Sequence, residues 1–274
     1  MPRVPIFWGL HADPPPWLGK VLLAIPFVIM IIGYLVASHI RQTDNPQDKL
    51  LPTIRQMVDA VNMMAFTPDK SSGEYLMLQD TVTSLRRLAL GVGLSAICGL
   101  FLGLFTGLFG GFRSLLMPFV TFISIIPPLA ILPILFITFG VDELAKVMLI
   151  FIGTFPMISR DIYSAAKATP SELITKAFTL GASNAGVAFR IVLPELMPRL
   201  IDAVRLSMGG AWLFLIAAEA IASTDGLGYR IFLVRRYLAM DIIIPYVLWV
   251  TFLGFGMDLL LQRAIEWRYK WYER

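Results

Sequence analysis

The chain has 274 residues, of which 57% are hydrophobic and only 15% charged, and its mean hydropathy is +0.73. Soluble domains contain roughly 45–50% apolar and about 25% charged residues, so a water-soluble fold of this size could not bury so much apolar surface. The net charge of +4 does not indicate nucleic-acid binding, because the basic residues lie mostly in loops and tails, as membrane topology requires. The composition therefore predicts an all-α integral membrane protein in contact with the lipid bilayer.

Six stretches are predicted to cross the bilayer as helices. A hydrocarbon core about 30 Å thick needs roughly 20 apolar residues in helical conformation. The fourth stretch is the weakest, since its uncharged part, Val147 to Ser159, has only 13 residues. The six spans run from about Trp17 to Ala37, Ser84 to Gly110, Leu115 to Phe139, Leu144 to Ala165, Leu200 to Ser223 and Ile242 to Leu261.

The basic residues set the predicted orientation, because Lys and Arg are enriched on the cytoplasmic side. The connection from Arg160 to Arg205 and the tail from Arg263 to Arg274 together hold ten of them. Both termini are therefore predicted to lie in the cytoplasm. The protein itself is predicted to lie in the inner (plasma) membrane of the cell. The predicted organisation is a cytoplasmic tail at 1–16, a six-helix domain at 17–266 with an external segment at 38–83 and a cytoplasmic loop at 169–199, and a second cytoplasmic tail at 267–274.

The second span has a small residue at every fourth position. In a helix of 3.6 residues per turn such a row forms a slowly winding groove that another helix can approach closely. Ordinary helix packing explains this groove, so it supports the membrane assignment more than a particular function. The row consists of Gly91, Ser95, Gly99, Gly103, Gly107 and Gly111.

The third span contains Pro127, Pro128 and Pro133, which remove backbone donors and predict a kink within the membrane. Carbonyl groups freed at that depth need a polar or wet neighbour. Two interpretations stay open at this point. The kink either lines a central translocation pathway, which makes Pro127 and Pro128 candidate pathway residues, or it only shapes the helix bundle.

The fifth span contains an acid, Glu219, which lies fourteen residues beyond Arg205 and so about 21 Å further along the helix. A carboxylate inside a membrane is costly and is usually buried in protein or in contact with water. Glu219 is therefore either a pathway or gating residue or a structural hydrogen-bonding group. Trp212 and Met208 follow nearly the same helix face, where packing and pathway lining are both possible. An anionic cargo would be a poor ligand for an ionised Glu219.

The connection from Thr169 to Arg199 is too polar to cross lipid, yet its turn residues are regularly placed. Pro170 suits the first turn of a helix, and Gly181 is predicted to end that helix. Ser183 can cap a second short helix reaching about Arg190, which Leu193-Pro194 is predicted to end. Two short helices joined at a glycine would form a compact docking knob.

The spacing in this connection resembles that of permease subunits of binding-protein-dependent ABC importers. Their cytoplasmic loop reads Glu-Ala-Ala, three residues, Gly, nine residues, Ile, one residue, Leu-Pro. Here Thr175-Lys176-Ala177 replaces the first triplet, so the acidic contact with the ATPase is either missing or moved to Glu172. The resemblance implies an ATPase-coupling role for Glu172, Ala177, Phe178, Thr179, Gly181, Ala182, Ser183, Ile191, Leu193 and Pro194.

Further segments resemble the nitrate, sulfonate and taurine branch of this family. They are Thr83 to Arg87, Ile126 to Ala130, Leu180 to Ser183, Ala211-Trp212, Ala217 to Glu219 and Gly226 to Tyr229. The resemblance implies the type I ABC importer permease fold and a second permease copy, which a homodimer would supply. It also implies cytoplasmic ABC ATPase subunits that bind ATP and Mg, and an external substrate-binding protein. The cargo would be nitrate, a sulfonate, taurine, bicarbonate or a small nitrogenous compound, and this chain would not itself be an enzyme.

Two other classes of function are alternatives to this one. An ion-gradient-driven secondary transporter should show intramembrane ionisable pairs or inverted repeats, and neither is convincing here. A membrane-embedded enzyme needs a catalytic constellation, but the two histidines, His11 and His39, lie outside the spans. Cys98 is the only cysteine, so no thiolate metal site is predicted, and no phosphate loop of the GxxxxGK[ST] form occurs. An outer loop at 225–241, with Arg235 and Arg236, is predicted to contact the binding protein.

Overall fold

A computed structural model describes residues 15–45, 48–69 and 73–272, and all regular structure in these ranges is helical. The predicted all-α class is therefore confirmed. Most of the predicted tail at 1–16, and the end of the tail at 267–274, lie outside the described residues. The α-helices are α1 (Pro16–Asp44), α2 (Ile54–Val61), α3 (Leu76–Leu108), α4 (Gly110–Ile125), α5 (Leu132–Phe139), α6 (Glu143–Lys167), α7 (Ser171–Thr179), α8 (Asn184–Gly186), α9 (Leu193–Ala222), α10 (Leu227–Arg235) and α11 (Met240–Arg268).

Four helical stretches within the described ranges are long and apolar enough to cross a bilayer, namely α1, α3, the continuous stretch Asn184–Ala222 and α11. The pair of α4 and α5 qualifies as one further span, bent by 84°. The break after Ile125 consists of Ile126 and Pro127, and Pro128 begins the 3-10 turn that follows, so the bend lies where the sequence predicts it for the third span. α6 has 25 residues but charged groups near both ends, so the sixth span and the cytoplasmic position of both termini stay predictions.

The helices on either side of the predicted external segment are longer than the apolar runs within them. α1 continues past Ala37 to Asp44, and α3 begins at Leu76 rather than near Ser84. Polar residues end an apolar run, but most of them do not end a helix. The external segment also contains α2, whose Thr53 and Gln56 form a reciprocal capping box.

The row of small residues in α3 forms the groove into which α6 packs. An ideal Cβ atom on Gly99 would lie 2.8 Å from Ile158 Cγ2, and one on Gly103 would lie 2.7 Å from Ile162 Cβ. At the position between Gly91 and Gly99, the Ser95 hydroxyl lies 2.7 Å from that of Thr154. The close approach predicted for the second span is thus made by α6. The last member of the row, Gly111, lies in α4 and has no atom near its Cβ position.

α9 is central to the bundle, with contacts to α3, α6, α10 and α11. By contrast, α1 is almost entirely exposed within the described chain and carries apolar side chains on all sides. It is held at its carboxyl-terminal half, where the Tyr34 hydroxyl donates to Pro52 O at 2.6 Å and the Ser38 hydroxyl to Leu51 O at 3.1 Å. A helix that is apolar all round is suited to lipid or to a further protein surface.

Candidate functional site

The candidate coupling segment, residues 171–194, begins with α7 and turns back at Gly181. Gly181 has a φ of +83°, a conformation that glycine adopts without strain. Its N–H donates to Phe178 O at 2.9 Å, and the Ala182 N–H donates to Ala177 O at 3.0 Å. This pair of bonds is a Schellman motif, which satisfies carbonyl groups at a helix end. The predicted end of the first helix is found at the predicted glycine.

The second short helix of the candidate coupling segment begins at the predicted cap. The Ser183 hydroxyl accepts a hydrogen bond from Gly186 N–H at 3.1 Å. The helix does not end at Leu193-Pro194, however, so that prediction was wrong. It passes through a π-helical turn at Val187–Val192 and continues as α9. The π-helical turn before Pro194 shifts the backbone pairing, so the helix can continue although Pro194 has no N–H to donate.

One face of α7 is anchored in the bundle and the other is exposed. Ala177 is buried in an apolar core with Leu104 and Ile162, whereas Phe178 is half exposed and Leu180 is 87% exposed. Large apolar side chains that are exposed next to a fixed anchor are typical of a surface that binds another protein. Glu172 is exposed in the first turn of α7, and the Thr175 hydroxyl donates to Ser171 O at 2.9 Å.

The other predicted members of the candidate coupling segment are exposed in part and packed against the bundle in part. Ser183 and Thr179 are exposed, Ala182 is partly buried, and Thr179 Oγ1 donates to Lys176 O at 2.8 Å. Ile191 and Leu193 are partly buried and pack against the same apolar core as Ala177. These two residues hold the segment in place rather than forming its exposed surface.

At the end of the bundle opposite α7, Glu219 is fully buried and hydrogen-bonded from three sides. Arg87 Nη1 lies 2.8 Å from its Oε1, and the Ser84 hydroxyl lies 2.8 Å from the same oxygen. The backbone N–H of Gly228 donates to Oε2 at 2.8 Å. Glu219 therefore has the hydrogen bonds to neighbouring helices that a structural hydrogen-bonding role requires. A pathway role for it stays a prediction.

Arg87 is the centre of this arrangement, since all five of its N–H donors are used. Its Nε and Nη2 bind the Glu143 carboxylate in a fork at 2.7 and 2.6 Å. Nη2 also contacts Asp225 Oδ1 at 2.6 Å, and Nη1 donates to Asp225 O at 3.0 Å in addition to Glu219. The guanidinium thus connects α3, α6, α9 and the loop before α10.

A second buried carboxylate, Asp80, extends the network to α10 and α11. Its oxygens accept from Arg230 Nε at 2.8 Å, the Tyr246 hydroxyl at 3.2 Å and Gly226 N–H at 3.0 Å. We call the whole group the outer cluster. Its members are Asp80, Ser84, Arg87, Glu143, Glu219, Asp225, Arg230 and Tyr246.

Glycines allow the loop before α10 to approach the outer cluster. Gly226 has a φ of +108°, and an ideal Cβ atom on it would lie 2.5 Å from Glu219 Oε1. On Gly228 the same atom would lie 2.7 Å from Ile216 O. The start of the predicted outer loop is therefore buried, and Arg235 and Arg236 at the end of α10 are its exposed basic residues.

Two members of the outer cluster that lie outside the predicted spans have altered pKa values. Hydrogen bonds from Arg87, more than the partial burial that opposes them, lower the pKa of the Glu143 carboxyl to about 2. Burial would lower the pKa of the Arg230 guanidinium, but the hydrogen bond and charge of Asp80 outweigh it and raise that pKa. Both groups are thus held in their charged forms.

The sequence alone did not show that Ser84 and Arg87 bond Glu219, or that Asp80 belongs to the same cluster. Their spacing of four and three residues places them on one face of α3, which is the signal that could have shown them. In the sequence analysis Arg87 appears only as the end of the family-like segment Thr83 to Arg87. Its partner Glu219 is 132 residues away, and no local pattern connects the two.

The other predicted pathway residues lie in two different environments. Met208 and Trp212 are buried in an apolar core with Leu88 and Tyr246. Within the described part of the chain, Trp212 Nε1 is buried without a hydrogen-bond partner. By contrast, Pro127 is exposed and Pro128 borders a cavity of about 470 Å³ between α4, α6 and α9. No group of three or more potential ligands able to hold a metal ion occurs among the described residues.

Comparisons with known proteins agree with this architecture. Residues 97–270 match the family of binding-protein-dependent transport system inner membrane components. The taurine transport system permease protein TauC of Escherichia coli is 32% identical over 190 residues, which cover 69% of each chain. The bicarbonate transport system permease protein CmpB of Synechococcus elongatus is 30% identical over 193 residues, covering 70% of this chain and 68% of that protein.

The fold resembles that of a solved transporter. An inward-facing structure of the MetNI methionine ABC transporter superposes with a TM-score of 0.58 at 18% identity, covering 71% of this chain and 99% of the matched chain. At that identity the match establishes the fold alone. The family match covers more than half of this chain and includes the candidate coupling segment. The chain therefore belongs to the family of binding-protein-dependent transport system inner membrane components and is a membrane-spanning permease subunit of an ABC importer.

Proposed function

We propose that this permease carries a small oxyanion of the sulfonate or bicarbonate type, delivered by an external binding protein. The observation that carries the proposal is the family match over residues 97–270 together with the named cargoes of two relatives, taurine and bicarbonate. Taurine has a sulfonate group, so both cargoes present a compact anionic group of oxygens. Nitrate shares this chemistry and belongs to the same proposal.

The energy for transport would come from a separate ATPase that binds at the candidate coupling segment. Phe178 and Leu180 offer an exposed apolar surface there, and Glu172 is the available acidic group in the first turn of α7. Gly181 and Ala177 fix the shape and anchor of that surface. ATP and Mg would bind on the partner ATPase, and this chain would contribute neither catalytic residues nor a cofactor.

The translocation pathway would form between two copies of this chain, as the resemblance implies. The bend at Pro127 and Pro128 is proposed to line it, since it borders the cavity between α4, α6 and α9. Met208, Trp212 and Glu219 would support the pathway from behind, because each is buried within a single chain. An ion-gradient-driven mechanism is not favoured, since the family consists of components of binding-protein-dependent systems.

The proposal is tested by co-expressing the chain with candidate ATPase and binding-protein genes from its own genome. We expect the ATPase to co-purify with the chain. In proteoliposomes, ATP hydrolysis should rise when the binding protein is loaded with taurine, an alkanesulfonate, bicarbonate or nitrate. A permease that takes up these anions on an ion gradient, with no ATPase and no ATP, would overturn the importer proposal.

A further inference from the structure

The cavity between α4, α6 and α9 contains a guanidinium group that the protein itself hardly uses. Arg160, on α6, is one of its lining residues, together with Ser124 of α4 and Pro128 at the bend. In the described ranges, the polar contact of this guanidinium is from Nη1 to Ser124 Oγ at 3.4 Å, which is long for a hydrogen bond. A guanidinium has five N–H donors, so most of the binding capacity of Arg160 is free.

The neighbouring carboxylate does not neutralise Arg160, although it lines the same cavity. Asp161 Oδ1 pairs with Arg199 at 3.2 Å, across the contact between α6 and α9. The described ion pairs include none between Arg160 and a carboxylate. The remaining lining is mostly apolar, with Ile126, Ile152 and Leu206 among its residues. The Arg160 side chain is exposed to this cavity, so an anion that enters the cavity can reach its free donors.

Arg160 differs from the two other charged residues considered above, Glu219 and Arg87. Glu219 has the wrong sign for an anionic cargo and is buried in the outer cluster, and Arg87 has all of its donors occupied. Among these three residues, only Arg160 combines a positive charge, free donors and exposure to a cavity.

We propose that Arg160 is a cargo-contacting residue of the translocation pathway, where its guanidinium binds the oxyanion group of the passing substrate. This inference rests on the proposed function and names the residue that would recognise the anion. A guanidinium matches the oxygens of a sulfonate or bicarbonate group with paired N–H donors. A cavity of about 470 Å³ has room for such a small solute. The apolar walls offer few other bonds, which favours passage over tight retention.

The test is uptake into proteoliposomes that contain the permease, its ATPase and a saturating amount of taurine-loaded binding protein. Saturation keeps the binding protein's own affinity out of the measurement. We expect Arg160→Gln to lower taurine uptake at least tenfold, while Arg160→Lys, which keeps the charge, retains half of the rate or more. ATP hydrolysis stimulated by the loaded binding protein should change less than twofold in both variants.

Lys167→Gln is the matched control, because Lys167 lies seven residues further along α6 on nearly the same face and is exposed. It should retain uptake within twofold of wild type. Equal losses in Arg160→Gln and Lys167→Gln would indicate a general effect of basic charge and would overturn the inference, as would normal uptake in Arg160→Gln. If Arg160→Gln does not assemble with the ATPase, Arg160→Met replaces it under the same criteria. Failure of the wild type to take up any of the anions would instead reject the proposed function.

Discussion

The outer cluster and the candidate coupling segment lie at opposite ends of one continuous helical stretch, Asn184–Ala222, and they are built on opposite principles. In the outer cluster, charged groups are bonded to one another around a buried centre, with Arg87 and Glu219 at most 1% exposed. In the candidate coupling segment, apolar groups such as Leu180 are exposed. The first region is complete within the described chain, whereas the second presents a surface that a partner can cover.

The difference follows from how buried charges and exposed apolar side chains are stabilised. A buried charge is stable only when it is paired and hydrogen-bonded, so a network such as that of Arg87 fixes the positions of all its members. An exposed apolar side chain gains stability when a partner removes it from water. We infer that the outer cluster holds α3, α6, α9, α10 and α11 in one arrangement, and that the opposite end is the adaptable one.

The largest effect is expected from removing the centre of the outer cluster. Arg87→Ala would leave Glu219 buried without its cation, and breaking a buried pair in this way costs about 3–5 kcal/mol. We expect a large fall in the thermal unfolding temperature of the purified permease and a loss of protease resistance around α10. Both are measured in detergent on the protein alone.

Arg86→Ala is the matched control for that variant. Arg86 is adjacent to Arg87, has the same side chain and is exposed. Its removal should change the unfolding temperature little, since exposed charged groups contribute little to stability. If the two variants unfold at the same temperature, the outer cluster does not hold the bundle together and the contrast between the two ends is lost.

A smaller effect is expected in the middle of the molecule, where α3 meets α6. A Cβ atom on Gly103 would lie 2.8 Å from Ser159 O, a backbone atom that cannot rotate away. Gly103→Ala should therefore force the two helices apart, at a cost of about 1–3 kcal/mol from overpacking. Lower yield of folded permease and a lower unfolding temperature would show this.

Gly93→Ala separates this steric effect from helix propensity. Gly93 lies in the same helix, but nothing lies within 4 Å of its Cβ position. Alanine is favoured over glycine in a helix by about 1 kcal/mol, so Gly93→Ala should be neutral or slightly stabilising. A destabilisation equal to that of Gly103→Ala would contradict the packing described for α3 and α6.

Features that depend on local sequence could be predicted well. The bend at Pro127 and Pro128 and the end of α7 at Gly181 each follow from the chemistry of one or two residues, and the groove along α3 follows from one row of small residues. The spacing from Ala177 to Pro194 predicted the candidate coupling segment, and its ATPase-binding role stays a prediction. The continuation of the helix through Pro194 could not be predicted, since it depends on the π-helical turn that precedes this residue.

Features that depend on distant partners could not be predicted. The sequence identified Glu219 as unusual, but its bonds to Ser84, Arg87 and Gly228 join residues from three helices. The spacing of polar residues on α3 indicates that they share a face, but not which helix that face meets. The acid could therefore be identified from the sequence, but its partners could not.

The smallest effect on stability, and the most selective effect on function, is expected at Gly181. Its φ of +83° costs an alanine about 1–2 kcal/mol, but no atom lies within 4 Å of its Cβ position, so Gly181→Ala should strain only the end of α7. We expect the unfolding temperature to stay near that of wild type, because the outer cluster is unaffected. Less ATPase should co-purify, and less cargo should be transported per ATP hydrolysed.

Gly186→Ala is the control, since Gly186 has an ordinary helical conformation and its Cβ would make only a 3.4 Å contact with Ser183 Oγ. Normal coupling in Gly181→Ala, or an equal loss in Gly186→Ala, would mean that the Schellman turn does not shape the surface that the ATPase binds.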